Sequence, residues 1–511
     1  MTNPKNSIAA SEKAAEADFY ESDLEFTSDD LESPRDGLIP ISVLQEVAAW
    51  KREAKIEDNT RYFWHVNEVD QIARGDRYFV IGRKGSGKSA ICEYFSRASN
   101  HDTFAERLSF KSFPFNDLYT QKNDHFTTPN QYITIWKYLI YSTVCRLMLK
   151  DEKLESDVRT PLEKIYGGSS PLSRLVGKWT SSEFGVSFVG FSLKVSKNTG
   201  SAATNWIDRV HILEDFLLSR NDTNKYYILF DELDEDYRDI VSNHQSSQYT
   251  DLITSLFKAV QDVRATFYQS GSQGILPVIF LRDDIYDLIQ DSDKNKWKDF
   301  RVDLSWDTPK IEKVIAFRIS RAIDPECAKP LPFHVAWTKL FGSGKLRIGK
   351  KGQKRIGSFD YISRSTLLRP RDFVTYLQNC AELALSRDNS ITPSIVKAVD
   401  TAFSNYLREE FTDELFAILP DISGIFDVLS QLRKWNFTIR EFEQAYASQL
   451  RSGFINEKNV KFVLQVLFLF DVIGNTPKVG RFVFRYQNRE ARLNFNERVV
   501  VHRGLFKSLQ I

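Results

Sequence analysis

The chain is poor in the residues that build metal clusters and covalent cross-links. Its 511 residues include only four cysteines and seven histidines. Cys92, Cys145, Cys327 and Cys380 lie far apart and form no C-x-x-C pair, which excludes a dense disulfide framework, disfavours a zinc site and suits a reducing cytoplasm. An excess of one charge is also missing: 69 Lys and Arg balance 68 Asp and Glu, so any affinity for a polyanion must be local. Long apolar runs are absent as well. The best candidates, Tyr138–Leu149 and Phe462–Ile473, are broken by polar residues and fall short of the roughly 20 residues that span a bilayer. Met1–Asp36 lacks the apolar core of a secretory signal. The expectation is a cytoplasmic protein without membrane contact. What is present is globular composition, 42% hydrophobic and 27% charged, in a length that suits about two to four domains.

Residues 1–36 carry ten acids against Lys5, Lys13 and Arg35 and few large apolar side chains. They read as a flexible acidic tail, either a solvated leader or a partner-binding or self-masking arm. Residues 37–306 read as an α/β domain with a parallel sheet: apolar spacing is helical over Ile39–Ile56, and strand-like and helix-like segments then alternate. Strands are expected at Tyr78–Ile81, Leu108–Phe115, Tyr226–Phe230 and Leu276–Leu281. Helices are expected at Lys88–Arg97, Gln131–Lys150, Asn205–Leu218 and Tyr249–Tyr268. An inserted hairpin is expected at 179–195, where small, polar and aromatic residues alternate. Residues 307–410 read as a helical lid interrupted by a basic loop at 339–357, whose Lys345, Arg347, Lys350, Lys351, Lys354 and Arg355 suit either a solvated mobile loop or a contact with nucleic acid.

Gly82-Arg83-Lys84-Gly85-Ser86-Gly87-Lys88-Ser89, followed by Ala90, fits G-x-x-x-x-G-K-[ST] between an apolar strand and a helical pattern. Glycines in such a loop let consecutive N–H groups face phosphate oxygens, and the helix adds its positive end. Lys88 would then reach the β and γ phosphates, and Ser89 would ligate Mg²⁺. The stretch Phe341–Leu346 also contains G-S-G-K, but it lacks the earlier glycine, the hydroxyl after lysine and a preceding strand, and reads as a basic loop.

A second element is needed for hydrolysis, and "KYYILFDELDEDY" offers it as a Walker B strand. Asp231 would hold Mg²⁺ through water and Glu232 would polarise the attacking water, while Asp234, Glu235 and Asp236 read as a solvated charge run. In "ILPVIFLRDDIYDLI", placed beside that strand, Arg282 is a candidate γ-phosphate sensor, an arginine supplied to a neighbour, or a partner in an ordinary salt bridge. In "LLRPRDFVTYLQ", Pro370 suits the first position of a helix, and Arg371 could approach a nucleotide from a separate helical subdomain.

On these residues the chain resembles the AAA+/STAND-like group of P-loop ATPases, and within it a bacterial family marked by "IGRKGSGKSA", "LFDELDE", "FLRDDIY" and "RPRDF". The resemblance spans roughly residues 60–405 and implies a P-loop NTPase core, ATP and Mg²⁺ as cofactors, and a homo-oligomer. It also implies a sensor 2 role for Arg371 and a place in anti-phage or mobile-element defence, controlling a protein effector or sensor partner. Arg282 stands where asparagine is common in the group, and no arginine-finger motif is readable.

Residues 411–511 show three helical patterns, "IFDVLSQLRKW", "TIREFEQAYAS" and "NEKNVKFVLQVLFLFDVIG", then strands expected in "GRFVFRYQN" and "ARLNFN". This is the order of a winged helix, with Thr438 and Glu441 spaced as a capping box. Lys478–Ile511 carries eight basic residues against Glu490 and Glu497, which makes duplex DNA a candidate partner through the basic C-terminal wing. The third helix has only Lys458 and Lys461 near its start, so it offers little for reading bases, and a protein-binding wing stays open. The composite expectation is a Mg²⁺-dependent ATPase switch. The alternative is a DNA-binding initiator or transposition ATPase that uses ATP for assembly.

Overall fold

The computed structural model describes residues 40–511 except 98–99, 110–122, 128–129, 169–205, 221–222, 235–245, 272–273, 349–352, 388 and 479. The acidic tail, the hairpin at 179–195, Glu235, Asp236, Lys350 and Lys351 lie outside the described residues. The chain divides into two bodies: His65–Ser305, and Trp306–Ile511 together with the segment ending at Trp64, which carries helix α1 (Ile41–Ala48).

The first body is built on five parallel strands: β1 (Phe79–Ile81), β2 (Thr103–Ser109), β3 (Lys225–Asp231), β4 (Ile275–Leu281) and β5 (Arg301–Asp303), in the order β2-β3-β4-β1-β5. β4 is buried along its whole length and β3 everywhere except Lys225. Continuous apolar runs of this kind suit strands covered on both faces. The helices α2 (Lys88–Arg97), α3 (Ile133–Met148) and α5 (Ser246–Gln269) pack on the strands, and α4 (Trp206–Ser219) packs on α3. β2 shows the layering in two adjacent residues that point to opposite faces: Glu106 accepts from Arg146 of α3 at 2.7 Å, and Arg107 reaches Glu93 of α2. The connection leaving β1 runs to one side of the sheet and that leaving neighbouring β4 to the other. The crevice at their carboxyl ends is therefore the topological switch point, where ligands bind in open parallel sheets.

In the second body α1 buries Val43, Leu44 and Val47 against α9 (Pro370–Leu385) rather than against the sheet, so the α/β domain begins later than residue 37. The physical reason is an anchor that follows α1. The Arg318 guanidinium of α7 (Thr308–Ile323, after α6 at Asp283–Leu288) lies over the rings of Trp50 at 4.6 Å and Tyr62 at 4.7 Å and donates to Glu57 at 2.7 Å. α8 (Phe333–Phe341) ends at Gly342, whose φ of +65° suits glycine. The expected basic loop at 339–357 is instead the end of this helix and an antiparallel hairpin, β6 (Lys345–Ile348) and β7 (Lys354–Gly357). Leu346, Ile348 and Ile356 are buried and fix its inner face.

Pro370 opens α9 as expected, and α10 (Pro393–Leu415) follows. Then come α11 (Ile422–Leu432), α12 (Ile439–Arg451) and α13 (Val460–Leu469), with a three-stranded antiparallel sheet of β8 (Asn436–Phe437), β9 (Ile473–Thr476) and β10 (Arg498–Val501) in the order β8-β10-β9. The capping box of Thr438 and Glu441 is complete. The two expected terminal strands lie elsewhere: 480–488 contributes only a bridge at Val483, and 491–496 forms no strand. The side chain of buried Asn475 explains the second case. It donates to Asn494 O at 3.0 Å and accepts from Asn494 N at 2.8 Å, which satisfies that backbone without a ladder.

One apolar cluster runs from Val43 to Leu509 through the lid and the C-terminal sheet. A buried acid pins the end of the chain to it. Asp400 of α10 accepts from Tyr361 Oη at 2.7 Å, Tyr376 Oη at 2.8 Å and Arg503 at 3.3 Å. Removing one partner of a buried ion pair costs about 3 kcal/mol or more. Asp400→Ala is therefore expected to lower the melting temperature of this body by roughly 6–12 °C, with Asp400→Asn losing less, as read by calorimetry on the full chain.

Candidate functional site

The glycine loop leaves β1 at the switch point and enters α2. Gly82 N donates to Leu281 O of β4 at 3.2 Å, and Leu304 N donates to Ile81 O at 2.8 Å, so both flanking segments hold the strand end. A Cβ on Gly82 would meet Ser86 Oγ at 2.6 Å and Leu304 Cβ at 3.0 Å, so only glycine fits. Gly85 and Gly87 adopt φ of +78° and +98°, a region other residues enter at a cost of about 1 kcal/mol or more. Such left-handed positions turn backbone N–H groups into an anion-holding concavity. Lys88 curls over the loop and donates to Gly82 O at 2.7 Å and Arg83 O at 2.9 Å. Burial lowers the affinity of its amine for a proton, and the carboxylates of Asp234 and Asp283 oppose that effect.

Asp231 ends β3, is 3% exposed, and holds Arg107 of β2 at 2.6 Å. The same guanidinium lies 3.5 Å from Glu232 and reaches Glu93 of α2. Burial raises the pKa of Asp231 above the ordinary carboxylate value, with Arg107 acting against it. Glu232 has a φ of +59° and accepts a hydrogen bond from Ser109 at the end of β2. Left-handed backbone at a charged residue is local strain of a kind that concentrates at functional positions. Arg282, which follows β4, forks onto Asp284 at 3.0 and 2.6 Å and reaches Asp234 at 3.3 Å. Burial would raise the pKa of Asp284, but Arg282 outweighs it and holds that carboxyl below its ordinary value.

The fold thus brings Gly82–Lys88, Asp231, Glu232 and Arg282 to the carboxyl end of one sheet. Ser89 and Ala90 sit half-buried in the first turn of α2. Arg371 belongs to the second body, where it pairs with Glu410 at 3.4 Å. The neighbouring Arg369 is the more enclosed of the two, held by Asp372 at 2.9 Å and Glu414 at 3.3 Å.

Residues 309–412 match the FunZ-associated C-terminal helical domain. No curated protein matches the chain. Among solved structures, one described as "Structure of Drosophila ORC bound to DNA" aligns over 98% of this chain and 100% of that chain at 10% identity, with a TM-score of 0.26, too loose an overlay to bear on the fold.

The donor set suits a phosphate group: left-handed glycines, an ammonium and a helix start converge on one loop. Among the described residues, no group of three or more His, Cys, Asp or Glu side chains could hold a metal ion by itself. A cation here would need the Ser89 hydroxyl and the Asp231 carboxylate together with ligand oxygens. Sequence reading missed Arg107, Ser109 and Glu93. The parallel register sets Ser109 opposite Asp231 and Arg107 opposite Leu229, a relation no local pattern reveals. The available signal was a charged pair, Glu106-Arg107, inside an otherwise apolar alternation.

Arg107→Met leaves Asp231 buried without its cation, an expected loss of about 3 kcal/mol at neutral pH. The carboxyl pKa is raised in the fold, so the folded state holds that proton more tightly than the unfolded chain. The penalty is absent below the unfolded pKa and grows as pH rises towards the folded one. The deficit in melting temperature relative to wild type should therefore be smaller at pH 5 than at pH 7.5, which thermal scans at the two pH values check.

Proposed function

We propose that the chain is a Mg²⁺-dependent P-loop ATPase that works as a switch. The observation that carries this reading is the convergence of Lys88 and its glycine loop with Asp231 and Glu232 at the switch point of a parallel sheet. The loop amides and Lys88 would bind the β and γ phosphates of ATP and stabilise charge on the transferred group. Ser89 and Asp231 would hold Mg²⁺, which when bound neutralises phosphate charge. Glu232 would orient the water and accept its proton, and its strained backbone supports a functional assignment over a solvated acid. Arg282 would sense the γ phosphate once its fork to Asp284 is exchanged, and Arg371 would take the sensor 2 role that the resemblance implies.

The reading extends to a helical lid at 307–410, a winged helix at 411–511 and a homo-oligomer whose nucleotide state controls a protein effector. The match of 309–412 to a FunZ-associated domain supports placing that effector in an anti-phage defence system. Turnover should reveal the division of labour: Lys88→Ala loses ATP binding, whereas Glu232→Gln keeps binding and releases phosphate roughly 100-fold more slowly. Normal turnover by Glu232→Gln removes its assignment.

The alternative, assembly on DNA through the C-terminal wing, is favoured by the exposed Lys478 and Arg481. The wing has fewer free charges than its sequence suggests. Arg503 is 2% exposed and paired with Asp400, and Arg498 donates to Asn436.

A further inference from the structure

The strongest unassigned feature is the hairpin of β6 and β7. From residue 327 to 359 the sequence contains no Asp or Glu, in a chain whose charges otherwise balance. Leu346 pairs with Ile356 across the hairpin and Ile348 lies beside them, all turned into the core of the second body. The alternation therefore sends Lys345, Arg347 and Arg355 to the outer face. Arg347 and Arg355 are direct cross-strand partners. Like charges in that position destabilise a two-stranded ladder unless an anion lies between them. Among the described residues, none of Lys345, Arg347 and Arg355 makes an ion pair. The nearest acid in sequence, Asp360, opens the helix Ser358–Ser363 and makes none with them.

We propose that this hairpin is a contact for the phosphate backbone of duplex nucleic acid, carried by Arg347 and Arg355. The occupant follows from what the face holds and lacks. Its cations are spaced along a strand at about 7 Å and across strands at about 5 Å, and arginine forks match phosphate oxygens. No apolar or aromatic side chain stands among the outward residues, so the face has neither the anchors of a protein interface nor the stacking platform that unpaired bases use. The buried inner face, packed on the helix Ser358–Ser363 and on α10, makes the presentation rigid. The inference does not depend on nucleotide chemistry.

The test is fluorescence anisotropy of the full-length protein with short labelled duplexes over about 50–200 mM salt. Wild type should bind a DNA duplex with an affinity that falls steeply across this range. Arg347→Ala/Arg355→Ala should bind about tenfold more weakly and lower the slope of log affinity against log salt by about two. Its ATP affinity and melting temperature should stay unchanged, whereas Lys88→Ala should lose ATP and keep the salt-dependent duplex binding. An equal loss on an RNA duplex supports a shared backbone contact, and a loss on DNA alone supports DNA as its source. No duplex binding by wild type, unchanged duplex affinity in the double variant, or a loss confined to single strands overturns the proposal. Arg347→Glu/Arg355→Glu, with a larger charge change at half-buried Arg347 and exposed Arg355, should deepen the defect.

Discussion

The pair formed by Arg107 and Asp231 is the constraint on which the site rests. A carboxylate at the end of a strand buried on both faces is deprived of water, and its charge persists only with a cation at hand. That cation comes from the neighbouring strand, in parallel register, two residues before the strand end. One guanidinium then ties three elements together: β2, the end of β3, and α2 through Glu93. Because α2 begins at the glycine loop, the same pair fixes the distance between the loop and the acids. A metal drawn to Asp231 would have to share or displace Arg107.

Local pattern made the first body largely legible. The glycine loop, the apolar β3 and β4 and the helix at Lys88–Arg97 each carry their signal within a few residues, and the structure places all of them. What stayed hidden is non-local or short. Arg107 meets Asp231 across 124 positions, and β5 is three residues long, too brief for any period to register. In the basic segment after α8, the density of charge masks the two-residue alternation of Leu346, Ile348 and Ile356. In the C-terminal region the aromatic run of Phe482 and Phe484 looked like a strand because both rings are buried, but they serve the core from a segment that pairs only at Val483. Capping chemistry fared better, since Thr438 and Glu441 depend only on their own helix.

The second body uses charge differently. Arg369 with Asp372 and Glu414, Arg503 with Asp400, and Arg318 with Glu57 are each enclosed ion pairs. Such pairs add little net stability over apolar replacements, yet a wrong register would strand a charge, which makes them candidates for specifying the packing. In "RPRDF" this separates two arginines that look equivalent in sequence. Arg369 is spent on the interior, and Arg371 keeps part of its surface.

The cover that α1 gives to α9 has a consequence for how this protein can be divided. The segment matched by a known helical domain, 309–412, does not coincide with the packed body, whose core extends beyond both of its limits. Cut out at those limits it would lose α1, which packs on α9, from one side, and the chain end at Arg503–Leu509, which packs on α10 and carries the Arg503 anchor, from the other. A fragment meant to isolate this module must therefore join the segment ending at Trp64 directly to Trp306–Ile511, with the intervening body removed.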